Sequence, residues 1–365
     1  MRPTYLEVNL KQLRLNLEAI RKWVAPSAIL AMVKANAYGH GVEGVAPFLE
    51  PFVDYLGVAL LEEGIQLREL GIRKPILVMG GALPDQIPEY LKYDLTLTAS
   101  SQDLLIAGDH AAGLAGKSLR AHLKIDTGME RVGVRDTDAR PFIEASLACR
   151  HLDIEGIYSH LANSELADRS FSLLQLERFQ KVLSIYHELG VERPRLRHLC
   201  NSGGILQFPE GHLDMVRPGI MLYGVYPGPD VNRQVEVKPA LAWRSQVVYS
   251  KITPPGRSIS YGSLWEPSSP TRIVTIPCGY ADGYFRRMTG LPQVMIKGKR
   301  YPQVGRICMD QFMVNVGQDD IRVGDPVTLL GEGITADDLG GWAGTNNYEP
   351  LTNISTRVPR VYLMW

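Results

Sequence analysis

Cysteine is scarce. The 365-residue chain has four, Cys149, Cys200, Cys278 and Cys308. None belongs to a Cys-x-x-Cys pair, which removes the common thiolate metal site and the dithiol redox centre. No resident metal is expected, and dispersed free thiols fit a reducing compartment. Net charge is also absent: Lys plus Arg equals Asp plus Glu at 39 each, and no basic run occurs. Without a positive field to collect phosphate backbones, nucleic acid is not an expected partner. No apolar stretch approaches the roughly 20 residues of a membrane span. Met1 to Leu10 alternates polar and apolar residues instead of placing a basic segment before an apolar one. The expected location is the cytoplasm, away from membranes. A Gly-x-Gly-x-x-Gly turn after the first buried strand is missing too, and with it the usual mark of a doubly wound dinucleotide-binding sheet.

What the chain does have is 45% hydrophobic residues, enough for two cores. After an N-terminal strand (Tyr5 to Asn9) and a helix-patterned segment (Leu10 to Trp23), apolar runs alternate with amphipathic segments. The runs are Ala28 to Lys34, Tyr55 to Leu60, Pro75 to Gly80, Asp94 to Thr98, Arg120 to Asp126, Leu152 to His160, Leu196 to Asn201 and Leu213 to Arg217. Helical patterns occupy Leu61 to Leu70, Gln102 to Ala115, Ala139 to Ala148 and Leu173 to Leu189. This rhythm predicts an α/β fold, a (β/α)8 TIM barrel. Tyr226 to Asp230 reads as a linker, and beyond it short runs separated by turns such as Pro254-Pro255-Gly256 and Lys297-Gly298-Lys299 predict an all-β domain. Its expected strands are Ala242 to Ile252, Thr271 to Pro277, Gln293 to Ile296, Gln311 to Asn315 and Pro326 to Leu330. The expected division is 1–230 for the barrel and 231–365 for the C-terminal β-domain, with residues 1–10 pairing with the latter.

Chemistry is expected where barrel strands end. The buried run Ala28 to Val33 stops abruptly at Lys34, before a turn holding Asn36, Tyr38, Gly39 and Gly41. A desolvated lysine there can serve as an amine nucleophile or base; the plain alternative is a lysine reaching to water. Other strand ends carry Lys124 and Asp126 leading to Arg131, then His160, then Asn201 and Ser202, then Arg217. Polar residues thus gather at one rim. Ser202-Gly203-Gly204 and Pro218-Gly219-Ile220 follow the seventh and eighth strands, where such barrels often bind phosphate through backbone N–H groups. A carbonyl-bearing phosphate held by a lysine points to pyridoxal 5'-phosphate bound as a Schiff base. A barrel aldolase acting on a sugar phosphate is the alternative, but its lysine usually comes from a later strand and it needs no large β-domain.

At this point the chain resembles the alanine racemases over nearly its whole length. The resemblance is carried by Ala31-Met32-Val33-Lys34-Ala35-Asn36-Ala37-Tyr38-Gly39-His40-Gly41, the segment His122 to Gly133, Tyr158-Ser159-His160-Leu161-Ala162 and Asn201-Ser202. Val216-Arg217-Pro218-Gly219-Ile220, Ser260-Tyr261-Gly262, Gly279 to Tyr284, Val304 to Asp310, Tyr348-Glu349 and Arg357-Val358-Pro359-Arg360 extend it. It implies a fold-type III pyridoxal-phosphate enzyme that interconverts L- and D-alanine and supplies D-alanine for peptidoglycan. A serine or broad-specificity amino-acid racemase is the close alternative, and a non-catalytic pyridoxal-phosphate carrier the distant one.

The resemblance also implies roles. Lys34 carries the cofactor and is one catalytic base, taking the proton from the D-amino acid; Tyr261 is the other, on the opposite face. His160, beside Arg217, is a candidate relay for Tyr261. Arg217 faces the pyridine nitrogen, and because arginine only donates, that nitrogen stays unprotonated and the ring is a weaker electron sink. An acidic residue at this place would instead suit the fold-related decarboxylases. Tyr38, Ser202, Gly219, Ile220 and Tyr348 bind phosphate, with His160 and Asn201 in the same cofactor site. Arg131 and the backbone of Met309 take the substrate carboxylate, Tyr280 narrows the substrate's way in, and Lys124 is the lysine many members carry as a carbamate. His40, Asp126 and Asp310 are expected to be structural. Each site is completed by the partner's β-domain, so a homodimer with composite sites is implied. Two positions depart from the family pattern: Thr352, commonly cysteine, and Glu130, where glycine is expected.

Overall fold

The computed structural model describes residues 2–364. Eight parallel strands form the barrel sheet: β2 (Ala28–Met32), β3 (Tyr55–Val58), β4 (Ile76–Val78), β5 (Thr96–Ala99), β6 (Leu119–Asp126), β8 (Leu152–Tyr158), β9 (Leu196–His198) and β10 (Met215–Val216). All eight expected runs are strands. β7 (Val134–Arg135) pairs only with β6. The order β10-β2-β3-β4-β5-β6-β8-β9 is nearly closed, with Asp214 N donating to Arg197 O (3.1 Å) and Arg217 N to Cys200 O (2.9 Å) between β9 and β10. Strands β3, β4 and β5 are buried along their whole length, which explains why they read as continuous apolar runs instead of alternating ones.

Helices return the chain between strands, and the longest, Ser170–Glu188, begins three residues before the pattern at Leu173 suggested. After β10 there is only a 3₁₀ turn, Ile220–Tyr223. The helix Leu10–Val24, which precedes the barrel strands, reaches this turn through Asn16 Nδ2 donating to Leu222 O (3.1 Å).

The second sheet has nine strands: β1 (Tyr5–Asn9), β11 (Leu241–Gln246), β12 (Tyr249–Thr253), β13 (Thr271–Ile276), β14 (Gln293–Ile296), β15 (Lys299–Val304), β16 (Phe312–Gly317), β17 (Pro326–Leu330) and β18 (Arg360–Leu363). Their order is β12-β13-β16-β15-β14-β17-β11-β1-β18. The single strand expected over Ala242 to Ile252 is in fact two, β11 and β12, on different paths in this sheet. Val247 leaves the ladder, donating instead to Asp325 O (3.0 Å), so a run with neither glycine nor proline in it hides a corner. β15 also follows the Lys297–Gly298 turn unanticipated, because its polar sequence and Pro302 disguise it.

By compactness the chain forms two units. One comprises Arg14–Ala37 and Val42–Val237; the other comprises residues up to Leu13, Tyr38–Gly41 and those from Lys238 onward. In the second unit β1 pairs antiparallel with β11 and parallel with β18. Its core includes Trp243, Tyr284 and Phe312, the last two stacked at 4.7 Å.

Candidate active site

The strand-end residues of the barrel do converge. Lys34 follows β2 and is half-buried. Burial and the Arg131 charge lower its ammonium pKa, against an opposing pull from Glu63. The backbone beyond it is unusual: Ala35, Asn36, Ala37 and Tyr38 all lie at φ 51–53°, one turn of left-handed helix made without glycine. Such a turn costs on the order of 1–2 kcal/mol per residue and needs external bonds. Glu63 Oε1 accepts from Ala35 N (2.6 Å) and Asn36 Oδ1 from Val42 N (2.7 Å). The effect is to end β2 sharply and fix the Lys34 backbone.

Lys124 and Asp126 close β6. The buried Lys124 amine donates to Ile125 O (2.8 Å) and sits 5.1 Å over the Tyr158 ring. Burial first, then Arg217 and Arg131, lower its pKa to about 7, with Asp126 acting in the opposite direction. Gly133, at φ +118°, packs against it, where a Cβ would lie 2.9 Å from Lys124 Cγ. Asp126 has the structural role expected: its carboxylate accepts from Gly128 N (2.8 Å) and Arg131 N (3.2 Å), shaping the loop that presents Arg131.

Arg217, at the end of β10, is 2% exposed. Its Nη1 donates to His198 Nδ1 (2.9 Å), and its Nη2 donates to Ser159 O (2.8 Å), to Leu199 O (2.9 Å) and towards His160 Nδ1 (3.2 Å). None of these partners is a carboxylate, and burial lowers its pKa to about 10. A desolvated guanidinium with only neutral partners keeps the Nε–H and one Nη1–H for something else. His160 bridges onward to Asn201, whose Nδ2 lies 3.5 Å from its Nε2. Burial, Arg217 and the nearby lysines hold His160 well below its usual pKa, so it is neutral. Ser202 Oγ accepts from Gly219 N (3.0 Å) and Met221 N (3.3 Å), joining the seventh and eighth strand loops. Lys34, Lys124, Arg131, His160, Asn201, Ser202, Arg217, Gly219 and Ile220 therefore form one cationic rim.

The remaining expected residues lie in the other unit. Tyr38 and Tyr348 have ring centroids 6.3 Å apart. Around Cys308 three loops meet: Ser260 Oγ lies 3.3 Å from its thiol, Tyr280 N donates to its carbonyl (3.0 Å), and Ala281 N donates to Met309 O (3.0 Å). Tyr261, Tyr280 and Met309 are thereby gathered. Tyr261 is 69% exposed and lines an open cleft of about 380 Å³ with Tyr249, Lys251, Ser260 and Cys308. Reading the sequence missed the clamp behind this face. Asp282, fully buried, takes a bidentate pair from Arg2 (2.6 Å to each oxygen) and forms an ion pair with Arg357 (3.1 Å), and Arg357 also binds Asp310 (2.7 Å). The Gly-Tyr-Ala-Asp-Gly run was visible, but its arginine partners lie at the two ends of the chain. Thr352 bonds back to Tyr348 O (3.0 Å), and Glu130 sits at φ +51°, a conformation that accounts for the glycine expected there.

Comparison with known proteins agrees along the whole chain. Residues 8–227 match the alanine racemase N-terminal domain family and residues 240–362 the C-terminal domain family. An alanine racemase of Carboxydothermus hydrogenoformans is 44% identical over 370 residues, covering 100% of both chains. The solved alanine racemase of Clostridium difficile superposes with a TM-score of 0.94 at 38% identity, covering 100% of this chain and 96% of that one. A second structure of that enzyme, in complex with cycloserine, gives 0.93 at 37%, with the same coverage. The chain belongs to the alanine racemase family.

Proposed function

We propose that this protein is a pyridoxal-phosphate-dependent racemase that interconverts L- and D-alanine, works as a cytoplasmic homodimer and supplies D-alanine for peptidoglycan. The observation that carries the reading is Arg217: a buried arginine without an acidic partner, on the same barrel rim as a lysine whose ammonium form is disfavoured. The rim suits the cofactor's three ends. Lys34 would hold the aldehyde carbon, Arg217 the ring nitrogen, and the Ser202 hydroxyl with the Gly219–Ile220 backbone, together with Tyr38 and Tyr348, the phosphate. His160 and Asn201 would flank the ring.

Bound there, pyridoxal phosphate supplies an electron-withdrawing ring that acidifies the amino acid's Cα–H. The side chains do the rest. Lys34 Nζ removes or returns the proton on the D face and Tyr261 Oη on the L face, since inversion needs a base on each side. Arg217, a donor with no acidic partner, would hold the ring nitrogen unprotonated and so keep the ring a weak electron sink, which would favour return of the proton by Lys34 or Tyr261. That disfavours transamination and elimination. Arg131 and the backbone at Met309 receive the substrate carboxylate, and Tyr280 limits the side chain to small groups. Lys124 carries a carbamate: an amine with a pKa of about 7 is about half neutral near pH 7 and can add CO₂, releasing a proton, and the resulting anion would orient Arg131. Tyr249, Ile252, Tyr261, Leu264 and Met309 are all exposed, an apolar face that a second copy would cover.

The test is a panel of L-amino acids incubated with the loaded enzyme and read by a D-specific coupled assay. Alanine should turn over fastest by at least about tenfold. Serine turnover equal to or above alanine would overturn the substrate assignment.

A further inference from the structure

The barrel interior holds a line of ionisable side chains of which only the first, Arg217, has a role in the reaction above. It starts at Arg217, whose Nη1 lies 2.9 Å from His198 Nδ1. His198 Nε2 is 2.8 Å from His122 Nδ1, and His122 Nε2 is 3.3 Å from Glu155 Oε1. Glu155 also accepts from the hydroxyl of Tyr55 and from Arg195. Tyr55 opens β3 and Arg195 immediately precedes β9, so the line runs the length of the barrel from strand starts to the catalytic rim. His122, His198, Glu155 and Arg217 are each at most 2% exposed.

Two features of the backbone build it. In the pairing of β6 with β8, Ala121 opposes Ile154 and His122 opposes Gly156, leaving Glu155 as the extra residue of a bulge; a bulge re-aims a side chain, and here it places the carboxylate beside His122. Gly156 then leaves room for that ring, since a Cβ there would fall 2.4 Å from His122 Nδ1.

Hydrogen-bond direction is forced along the whole line. Burial would raise the Glu155 pKa, but the bonds from His122, Tyr55 and Arg195 outweigh it and hold it at about 2. The carboxylate can only accept, so His122 donates through Nε2 and its Nδ1 is bare. His198 must then donate through Nε2, which leaves its own Nδ1 bare towards Arg217. We propose that Glu155 is a positioning residue for the cofactor's ring nitrogen: by fixing the tautomers of His122 and His198 it presents an acceptor to Arg217 and holds the guanidinium in one orientation. With the opposite tautomer, His198 would put an N–H against the Nη1–H, and Arg217 would turn away. The inference rests on the reading that pyridoxal phosphate sits against Arg217.

The test uses holoenzyme loaded with cofactor labelled with ¹⁵N in its ring and reads the nitrogen resonance, kcat, KM and thermal midpoint. Glu155→Leu removes the acceptor and should move the ring-nitrogen resonance and lower kcat by about tenfold or more with little change in KM. Glu155→Gln keeps an acceptor oxygen for His122 and should restore both. Gly156→Ala, which displaces His122 without stranding a charge, should move the resonance as Leu does and keeps the test open if Glu155→Leu fails to fold. Arg195→Ala should lower the midpoint and leave the resonance in place. A resonance unmoved in both Glu155→Leu and Gly156→Ala would overturn the proposal. A wild-type protein that takes up no cofactor on Lys34 would instead remove the functional reading.

Discussion

Lys34 and Lys124 show how one kind of residue takes different properties from its surroundings. Both are lysines at strand ends, both are made less basic by burial and by neighbouring cations, and only Lys124 is fully buried. For Lys124 the sign of the linkage is definite. Its folded pKa of about 7 lies below its ordinary 10.5, so between these values the unfolded chain binds more protons than the folded one and stability rises with pH. In CO₂-free buffer the thermal midpoint should climb from pH 7 to 10, and Lys124→Met should flatten that climb; identical profiles would show that the amine is not desolvated. With [¹³C]bicarbonate, a carbamate signal should appear above pH 7 and be absent in Lys124→Met. Tyr261 is tested by isotope exchange. In D₂O, Tyr261→Phe should still exchange the Cα proton of D-alanine, through Lys34, and lose exchange from L-alanine; equal, mild loss of both would exclude it as a base. Both bases were named from motifs, whereas Glu130 was legible only as a departure, and its φ of +51° supplies the physical reason.

At the scale of elements, the left-handed turn after β2 is a strained piece of backbone beside Lys34. Asn36 is tolerated there because asparagine enters the left-handed region more readily than most residues and because its side chain bonds Val42 N. Asn36→Ala loses both advantages and should cost about 1–2 kcal/mol, seen as a lower thermal midpoint together with weaker cofactor absorbance. A midpoint unchanged from wild type would mean the turn is held elsewhere. The barrel strands were legible because burial on both faces leaves unbroken apolar runs. Sheet corners were not: Ala242 to Ile252 has no glycine or proline at Val247 to mark the break, and the bulge at Glu155 exists only in the pairing of β6 with β8. The histidine–glutamate line was hidden for the same reason, since its members come from three strands and only register brings them together.

At the scale of the whole molecule, Lys34 belongs to the barrel unit and Tyr261 to the β unit, and the motif order says nothing of which copy each serves. The proposed reaction requires Lys34 of one chain with Tyr261 of another. Among the described residues no helix is long and apolar enough to cross a membrane. Lys34→Ala and Tyr261→Phe, each nearly inactive in racemisation alone, are mixed, dissociated in mild denaturant, reassembled and assayed for alanine racemisation. If the sites are composite, half of the random dimers carry one intact site, and about a quarter of wild-type activity should return. No recovery, with mixed dimers demonstrated in the sample, would contradict it.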